Sequence, residues 1–137
     1  MRFVDTNVVL YAVSREPDEG SKAERANEIL DARDVAFSVQ VLQEFYTQAT
    51  RDSRQNRLTH DQATGIVQTL QLFPTQDTTV ALVLAAMETK QRFGISYWDA
   101  AIIEAARRLD CPVVLSEDLN DGQDYAGVTV ENPFRDC

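Results

Sequence analysis

The stretch Arg2-Phe3-Val4-Asp5-Thr6-Asn7-Val8-Val9-Leu10-Tyr11-Ala12-Val13 carries the decisive fold signal. Phe3-Val4 is a short apolar run of the kind that forms a buried parallel strand, and it stops abruptly at Asp5-Thr6-Asn7. Periodicity alone leaves the type of the apolar segment 8–13 open. It reads as a short helix, because a strand cannot easily carry Asp5 to a sheet edge and also run on through it.

Downstream, strand and helix signals alternate. Ser14 to Gly20, with Pro17, reads as a loop, and Ser21 followed by Glu24 as a capping box for a helix over residues 22–33. Val35-Ala36-Phe37 is the second strand. Ser38 caps a helix in which Leu42, Phe45, Tyr46 and Ala49 recur at the i, i+3, i+4, i+7 spacing of one buried stripe. Thr59 with Gln62 forms a second capping box, opening a helix that ends near Phe73-Pro74. Asp77 or Thr78 starts another, running through Leu82, Leu84, Ala85 and Met87 to Gly94 as its stop. Ser96 caps the next, with Trp98, Ala101, Ile102, Ala105 and Leu109 as its buried stripe. Pro112-Val113-Val114-Leu115 is a third strand, ending at Ser116-Glu117-Asp118, and Val128-Thr129-Val130 is the last. Without repeats, low-complexity tracts or linkers, this alternation predicts one α/β domain over residues 1–137. Its architecture is a three-layer sandwich, a mainly parallel sheet flanked by helices.

Composition narrows the function. The chain has 137 residues, 44% of them hydrophobic, enough for one core. Its 22 Asp and Glu against 13 Lys and Arg give a net charge of −9, which argues against gripping nucleic acid by bulk positive charge. Local basic patches and metal-bridged contacts stay open. Cys111 and Cys137, with no Cys-x-x-Cys pair and a single histidine, suggest neither a zinc site nor a disulfide framework. Met1-Arg2-Phe3-Val4-Asp5 reaches a charge too early for a signal peptide, and no apolar run approaches the ~20 residues of a membrane span. The expectation is a cytoplasmic protein without membrane contact.

In a parallel sheet, ligands bind beyond the carboxyl ends of the strands, where Asp5 and Asp118 both stand. If the first and third strands are neighbours, the two carboxylates meet, and like charges raise each other's pKa unless a cation intervenes. Oxygen-only clusters suit hard ions such as Mg²⁺ or Mn²⁺. The competing reading makes Asp5 and Asp118 turn or cap residues. Asp99, three residues after Ser96, likewise either completes a cap or aims a carboxylate into the cleft. Glu44 lies roughly opposite the Leu42/Phe45/Tyr46/Ala49 stripe, on a side shared with Gln40 and Thr47, which is either a solvated face or the wall of a wet cleft. His60 reads as a surface residue. Trp98, Phe45 and Tyr46 fall on apolar stripes and read as core instead of base-stacking platforms. Arg107 and Arg108 read as solvated charges, whereas Arg51, Arg54 and Arg57, three Arg within seven residues, make that loop the first choice for phosphate contact.

Four motifs in order, Phe3-Val4-Asp5-Thr6-Asn7, Gln43-Glu44-Phe45, Ser96-Tyr97-Trp98-Asp99-Ala100 and Ser116-Glu117-Asp118-Leu119, resemble the PIN-domain nucleases over nearly the whole chain. The size resembles the toxin half of a VapBC-type toxin–antitoxin pair. The resemblance implies a ribonuclease with an acidic quartet, here Asp5, Glu44, Asp99 and Asp118, binding one or two Mg²⁺ or Mn²⁺ ions. Thr6, Asn7 and Ser116 fall where the family orients those acids through hydroxyl and amide groups. Family members frequently carry a further Asp two residues beyond the Asp118 position. Asn120 stands there in this chain, and the adjacent Asp121 is the candidate replacement. The resemblance further implies homodimers, an antitoxin partner and an RNA substrate.

The expected chemistry is metal-dependent hydrolysis by an in-line water, leaving 5′-phosphate and 3′-hydroxyl ends, with Asp5, Asp99 and Asp118 as ligands and Glu44 as ligand or water-orienting base. Two rivals remain. A haloacid-dehalogenase-type phosphatase also opens with a strand ending in an acid, but its second Asp is Asn7 here and the only lysines are Lys22 and Lys90. The other rival is a non-catalytic module that binds a metal or a partner.

Overall fold

The computed structural model describes residues 1–137. Six strands, β1 (Arg2–Val4), β2 (Val35–Ser38), β3 (Thr75–Gln76), β4 (Val113–Leu115), β5 (Asp124–Tyr125) and β6 (Val128–Glu131), form one sheet of order β3-β2-β1-β4-β6-β5. The helices are α1 (Thr6–Ala12), α2 (Gly20–Asp31), α3 (Val39–Thr50), α4 (His60–Leu70), α5 (Val80–Phe93) and α6 (Tyr97–Arg108). None is long and apolar enough to cross a membrane.

β1 lies between β2 and β4 and pairs in parallel with both, so Phe3 stands opposite Ala36 and Val114. Val4 and Leu115 are also register partners, which brings Asp5 and Ser116 out at the same edge. β3 and β6 extend the parallel sheet. β5 alone runs antiparallel, joined to β6 by Ala126-Gly127. Both turn residues have positive φ, 54° and 99°, the hairpin geometry that glycine makes easy.

The connections from β1 to β2 and from β2 to β3 step one way across the sheet, and the connection from β3 to β4 returns the other way. Right-handed crossovers therefore put α1 to α4 on one face and α5 and α6 on the opposite one. The helix contacts agree: α1 packs on α2 and α3, α3 on α4, and α5 on α6. The reversal falls between β1 and β4, where an open α/β sheet splits to make a crevice. Phe3, Val4, Phe37, Val114 and Leu115 from the strands join Val8, Ile29, Phe45 and Ile103 from the helices in one apolar core.

Several elements differ from the sequence expectation. Pro17-Asp18-Glu19 forms a 3₁₀ turn that runs straight into α2, so Ser21 sits inside the first turn and no side chain caps the helix. Thr79, not Asp77 or Thr78, caps α5, its hydroxyl accepting the Leu82 N–H at 3.1 Å. On α5, Leu82, Ala86 and Thr89 are buried while Val80, Leu84 and Met87 are exposed. The buried row of α3 is Val41/Phe45/Ala49, with Leu42 and Tyr46 half-buried beside it. β3 and β5, two residues each, are too short to leave a periodic signal. The Thr59/Gln62 capping box and the left-handed Gly94 stop, φ 67°, stand as expected.

Candidate active site at the carboxyl edge of the sheet

Asp5 leaves β1 and caps α1, accepting the Thr6 N–H at 2.8 Å. The residue is thus a cap, and it also lines the cleft beyond the strand ends. Its other carboxylate oxygen accepts the Ser116 hydroxyl at 2.8 Å and, more weakly, the Asn7 amide at 3.4 Å. The same Asn7 amide reaches Ser116 Oγ and Asp118 Oδ2, both at 3.2 Å, while its carbonyl accepts the Glu117 N–H at 3.1 Å. Ser116 Oγ also accepts the Asp118 N–H at 3.1 Å. Asn7 and Ser116 therefore cross-link the ends of β1 and β4 and fix Asp118 against Asp5.

Glu44 reaches the same cleft from α3. The Thr6 hydroxyl donates to it at 3.2 Å and the Gln40 amide at 2.7 Å. Gln40 also donates to the Trp98 carbonyl at 3.2 Å, tying α3 to the first turn of α6 across the cleft. The face that Glu44 shares is Gln40/Glu44/Gln48, successive turns of one helix wall, whereas Thr47 is exposed and points elsewhere. Asp99 comes from the first turn of α6, its N–H held by the Ser96 hydroxyl at 3.0 Å. The resulting cleft, about 110 Å³, is lined by Asp5, Glu44, Asp99 and Asp118 among residues that include no lysine, arginine or histidine.

Two of these carboxyls are held above their usual range. Burial raises the Asp5 carboxyl to about 6; the Ser116 and Thr6 hydrogen bonds oppose the rise and the charges of Glu44 and Asp118 add to it. Burial also raises Asp99, opposed by the Ser96 hydroxyl and reinforced by Asp118. Asp5 and Asp99 sit at helix N-termini, whose partial positive charge is the compensation the backbone itself supplies. No three carboxylates are gathered into a preformed ligand set.

The sequence from residue 2 to residue 124 matches the family model of the PIN domain. The chain belongs to the PIN-domain family. Among solved structures, this PIN domain is similar to a chain of the FitAB complex bound to a DNA fragment, at 20% identity and a TM-score of 0.71, over 98% of this chain and 96% of that one. It is similar to a toxin–antitoxin complex from Klebsiella pneumoniae, at 18% identity and a TM-score of 0.69, over 97% and 98%. It is also similar to Mycobacterium tuberculosis VapC20, a sarcin–ricin loop cleaving toxin, at 20% identity and a TM-score of 0.64, over 86% and 90%. No curated protein matches the sequence significantly.

Other expected site residues lie elsewhere in this PIN domain. Asp121 accepts the Asn132 N–H at 2.8 Å and pairs with Arg135 at 2.9 Å, lining a separate surface pocket with Arg2 and Arg25. The loop after β4 turns it away from the quartet, so it does not replace the acid absent at Asn120. Of the arginine loop, Arg57 is paired with Asp52, and Arg54 is half-buried beside Ser14 and Glu16. Arg51 is exposed and immediately follows α3, three residues beyond Gln48. His60 is exposed, its Nδ1 2.8 Å from the Tyr46 hydroxyl.

Sequence reading missed the brace behind the cleft. Lys22 pairs with Glu117 at 2.6 Å, and the Tyr11 hydroxyl donates to the same carboxylate at 2.6 Å. Burial pushes the Glu117 carboxyl up, but the hydrogen bonds from Lys22 and Tyr11 outweigh it and hold the group below its usual range. Lys22 and Glu117 are 95 residues apart, and nothing local marks their meeting. Gln40 and Gln48 carried a usable signal, the i, i+4 spacing on either side of Glu44.

Proposed function

We propose that this PIN domain is a divalent-metal-dependent endoribonuclease and the toxin of a toxin–antitoxin pair. The observation that carries the reading is the convergence of four carboxylates, from four separate elements, on one cleft lined by no cationic side chain. Elsewhere the chain neutralises its buried acid, so the cluster reads as a receptor for positive charge from outside. Oxygen-only donors and a carboxyl raised to about 6 fit a hard ion such as Mg²⁺ or Mn²⁺, with Asp5, Asp99 and Asp118 as ligands and Glu44 as ligand or water-orienting base. When bound, the ion offsets the repulsion between carboxylates and phosphate, favours a nucleophilic water and stabilises charge on the phosphoryl oxygens.

The chain's own residues do the positioning. Ser116, Asn7 and the Thr6 N–H hold Asp5 in one orientation, and Thr6 and Gln40 do the same for Glu44. Glu44 then presents a fixed acceptor to a water entering the cleft. Asn7 lies where a phosphatase of the haloacid-dehalogenase type needs its second acid, and its amide is engaged with three oxygens of the site, which disfavours that rival.

The likeness to toxin chains over almost the full length supports an antitoxin partner, and an acidic cleft suits a basic side chain from such a partner. The exposed stripe Val80, Leu84 and Met87 on α5 supports a homodimer. Arg51, next along the wall Gln40/Glu44/Gln48, is the favoured phosphate contact of the 51–57 loop.

The test is cleavage of a mixed RNA pool with Mg²⁺ or Mn²⁺, run beside Asp5→Asn and an EDTA control, with the product ends mapped. Cutting that needs metal and Asp5 and leaves 5′-phosphates supports the reading. Products ending in 2′,3′-cyclic phosphate, or cutting that survives EDTA, would exclude it. Neither cutting nor Mn²⁺ binding would favour the non-catalytic module.

A further inference from the structure

Trp98 is the only tryptophan of the chain, and its side chain is 66% exposed. The apolar stripe of α6 predicts it in the core, but the structure leaves it exposed in the first turn of the helix. Tyr97 takes the inward position instead and packs against the core. The indole is left on the rim of the acidic cleft, one residue from Asp99.

The ring is nonetheless held in place. Tyr97 meets it edge to face, with ring centroids 5.0 Å apart and planes at 83°. Its backbone is anchored by the Ser96 cap of the helix and by the Gln40 amide on its carbonyl. An aromatic that is both exposed and fixed presents a ready surface at little entropic cost on binding.

We propose that Trp98 is the base-binding platform of this site, stacking one unpaired nucleobase of single-stranded or looped RNA beside the acids. This rests on the reading of the cleft as an RNA-cleaving centre and adds how the substrate is held. The cleft walls carry no cation to grip phosphate, and a net charge of −9 repels the backbone. Stacking on an aromatic face is indifferent to that charge, and every base has a π face to offer. Bases of a duplex are already paired and stacked, so such a platform selects unpaired nucleotides. Gln48, on the α3 wall of the same cleft, adds a neutral amide donor and acceptor to its lining.

With one tryptophan, emission excited at the red edge, where the four tyrosines do not absorb, reports on this ring alone. The full-length Asp5→Asn protein, in Mg²⁺, is titrated with a mixed-sequence RNA of ten nucleotides or so, single-stranded in one arm and annealed to its complement in the other. Saturable quenching by the single strand and little by the duplex is expected. Trp98→Ala, measured by anisotropy of labelled RNA, should weaken binding about tenfold, and Trp98→Phe should restore most of it. In wild-type background, Trp98→Ala should raise KM more than it lowers kcat. Unchanged RNA affinity and KM in Trp98→Ala, or equal quenching by the duplex, would overturn the platform while leaving the nuclease intact. Emission that ignores RNA but follows protein concentration, with Trp98→Ala disrupting an oligomer, would overturn it in favour of a protein interface. A wild-type chain that cuts no RNA would count against the nuclease, and the fluorescence arm would still decide the platform.

Discussion

Glu104 and Asp5 are both almost wholly buried carboxylates, yet their surroundings are opposite. Glu104, midway along α6, accepts the Thr89 hydroxyl at 2.9 Å and pairs with Arg107 at 3.2 Å and Arg108 at 3.5 Å. Arg107 goes on to donate to the carbonyls of Tyr125 and Ala126, at 2.7 and 2.6 Å, and so fastens the β5–β6 hairpin. The two arginines are therefore structural partners, contrary to the expectation that they are merely solvated. Asp5 receives only neutral donors and faces two further acids. A buried charge is tolerable when paired and costly when not. The contrast teaches that this fold pairs the buried acid that fastens its architecture and leaves Asp5, at the cleft, without a cationic side chain.

The largest effect should come from breaking the paired site. Glu104→Ala leaves the Thr89 hydroxyl and the inner faces of two arginines without their acceptor and should cost about 3 kcal/mol in urea unfolding. The Mn²⁺ affinity of the protein that remains folded should not change. A loss well below about 1 kcal/mol would show that the pairing carries little weight and weaken the contrast.

Next in size is the ion itself. At a hundredfold excess over its Kd, Mn²⁺ should stabilise the wild type by about 2.7 kcal/mol, visible as a rise in Tm that EDTA reverses. Asp5→Asn should lose most of that rise.

Without metal the sign inverts. The folded carboxyl of Asp5 titrates at about 6, above the ordinary 3.8, so the native state binds the extra proton between those values. Stability due to this group is therefore highest below about pH 4, falls as pH rises to about 6, and is flat above. Asp5→Asn should remove that fall and stabilise the metal-free protein at pH 7 by about 2 kcal/mol. Equal stability of the two proteins at pH 7 and at pH 4 would refute the cost assigned to the bare acid.

The smallest effect sharpens the comparison at its edge. Lys22 pairs with Glu117, the residue next to Asp118, and does not line the cleft. Lys22→Met should lower stability by about 1 kcal/mol or less and weaken Mn²⁺ binding a few-fold by freeing the 116–118 turn, with Lys22→Arg recovering both. Isothermal titration with Mn²⁺ separates the two effects.

Much of the fold and of the candidate site was legible because the signals are local. Each quartet acid stands at a readable place: Asp5 and Asp118 after apolar runs, Asp99 three residues past a cap, Glu44 on a helix wall. The stripe of α6 misled at its first member, because a periodic pattern states which face is apolar but not how far along that face the packed core extends. Asp121 misled for a related reason, since proximity in a turn does not fix the direction of a side chain.

The sequence by itself determined the alternation of strands and helices, most caps, the excess of negative charge and the acids at strand ends, all properties of residues within a few positions of one another. Only the tertiary structure decided that β1 and β4 are neighbours, that Lys22 meets Glu117, that Arg107 and Arg108 neutralise Glu104, and that Trp98 lines the cleft exposed. Those facts depend on strand order and on where helix axes cross the sheet. They are set by the packing of the whole core, which no short window of sequence contains.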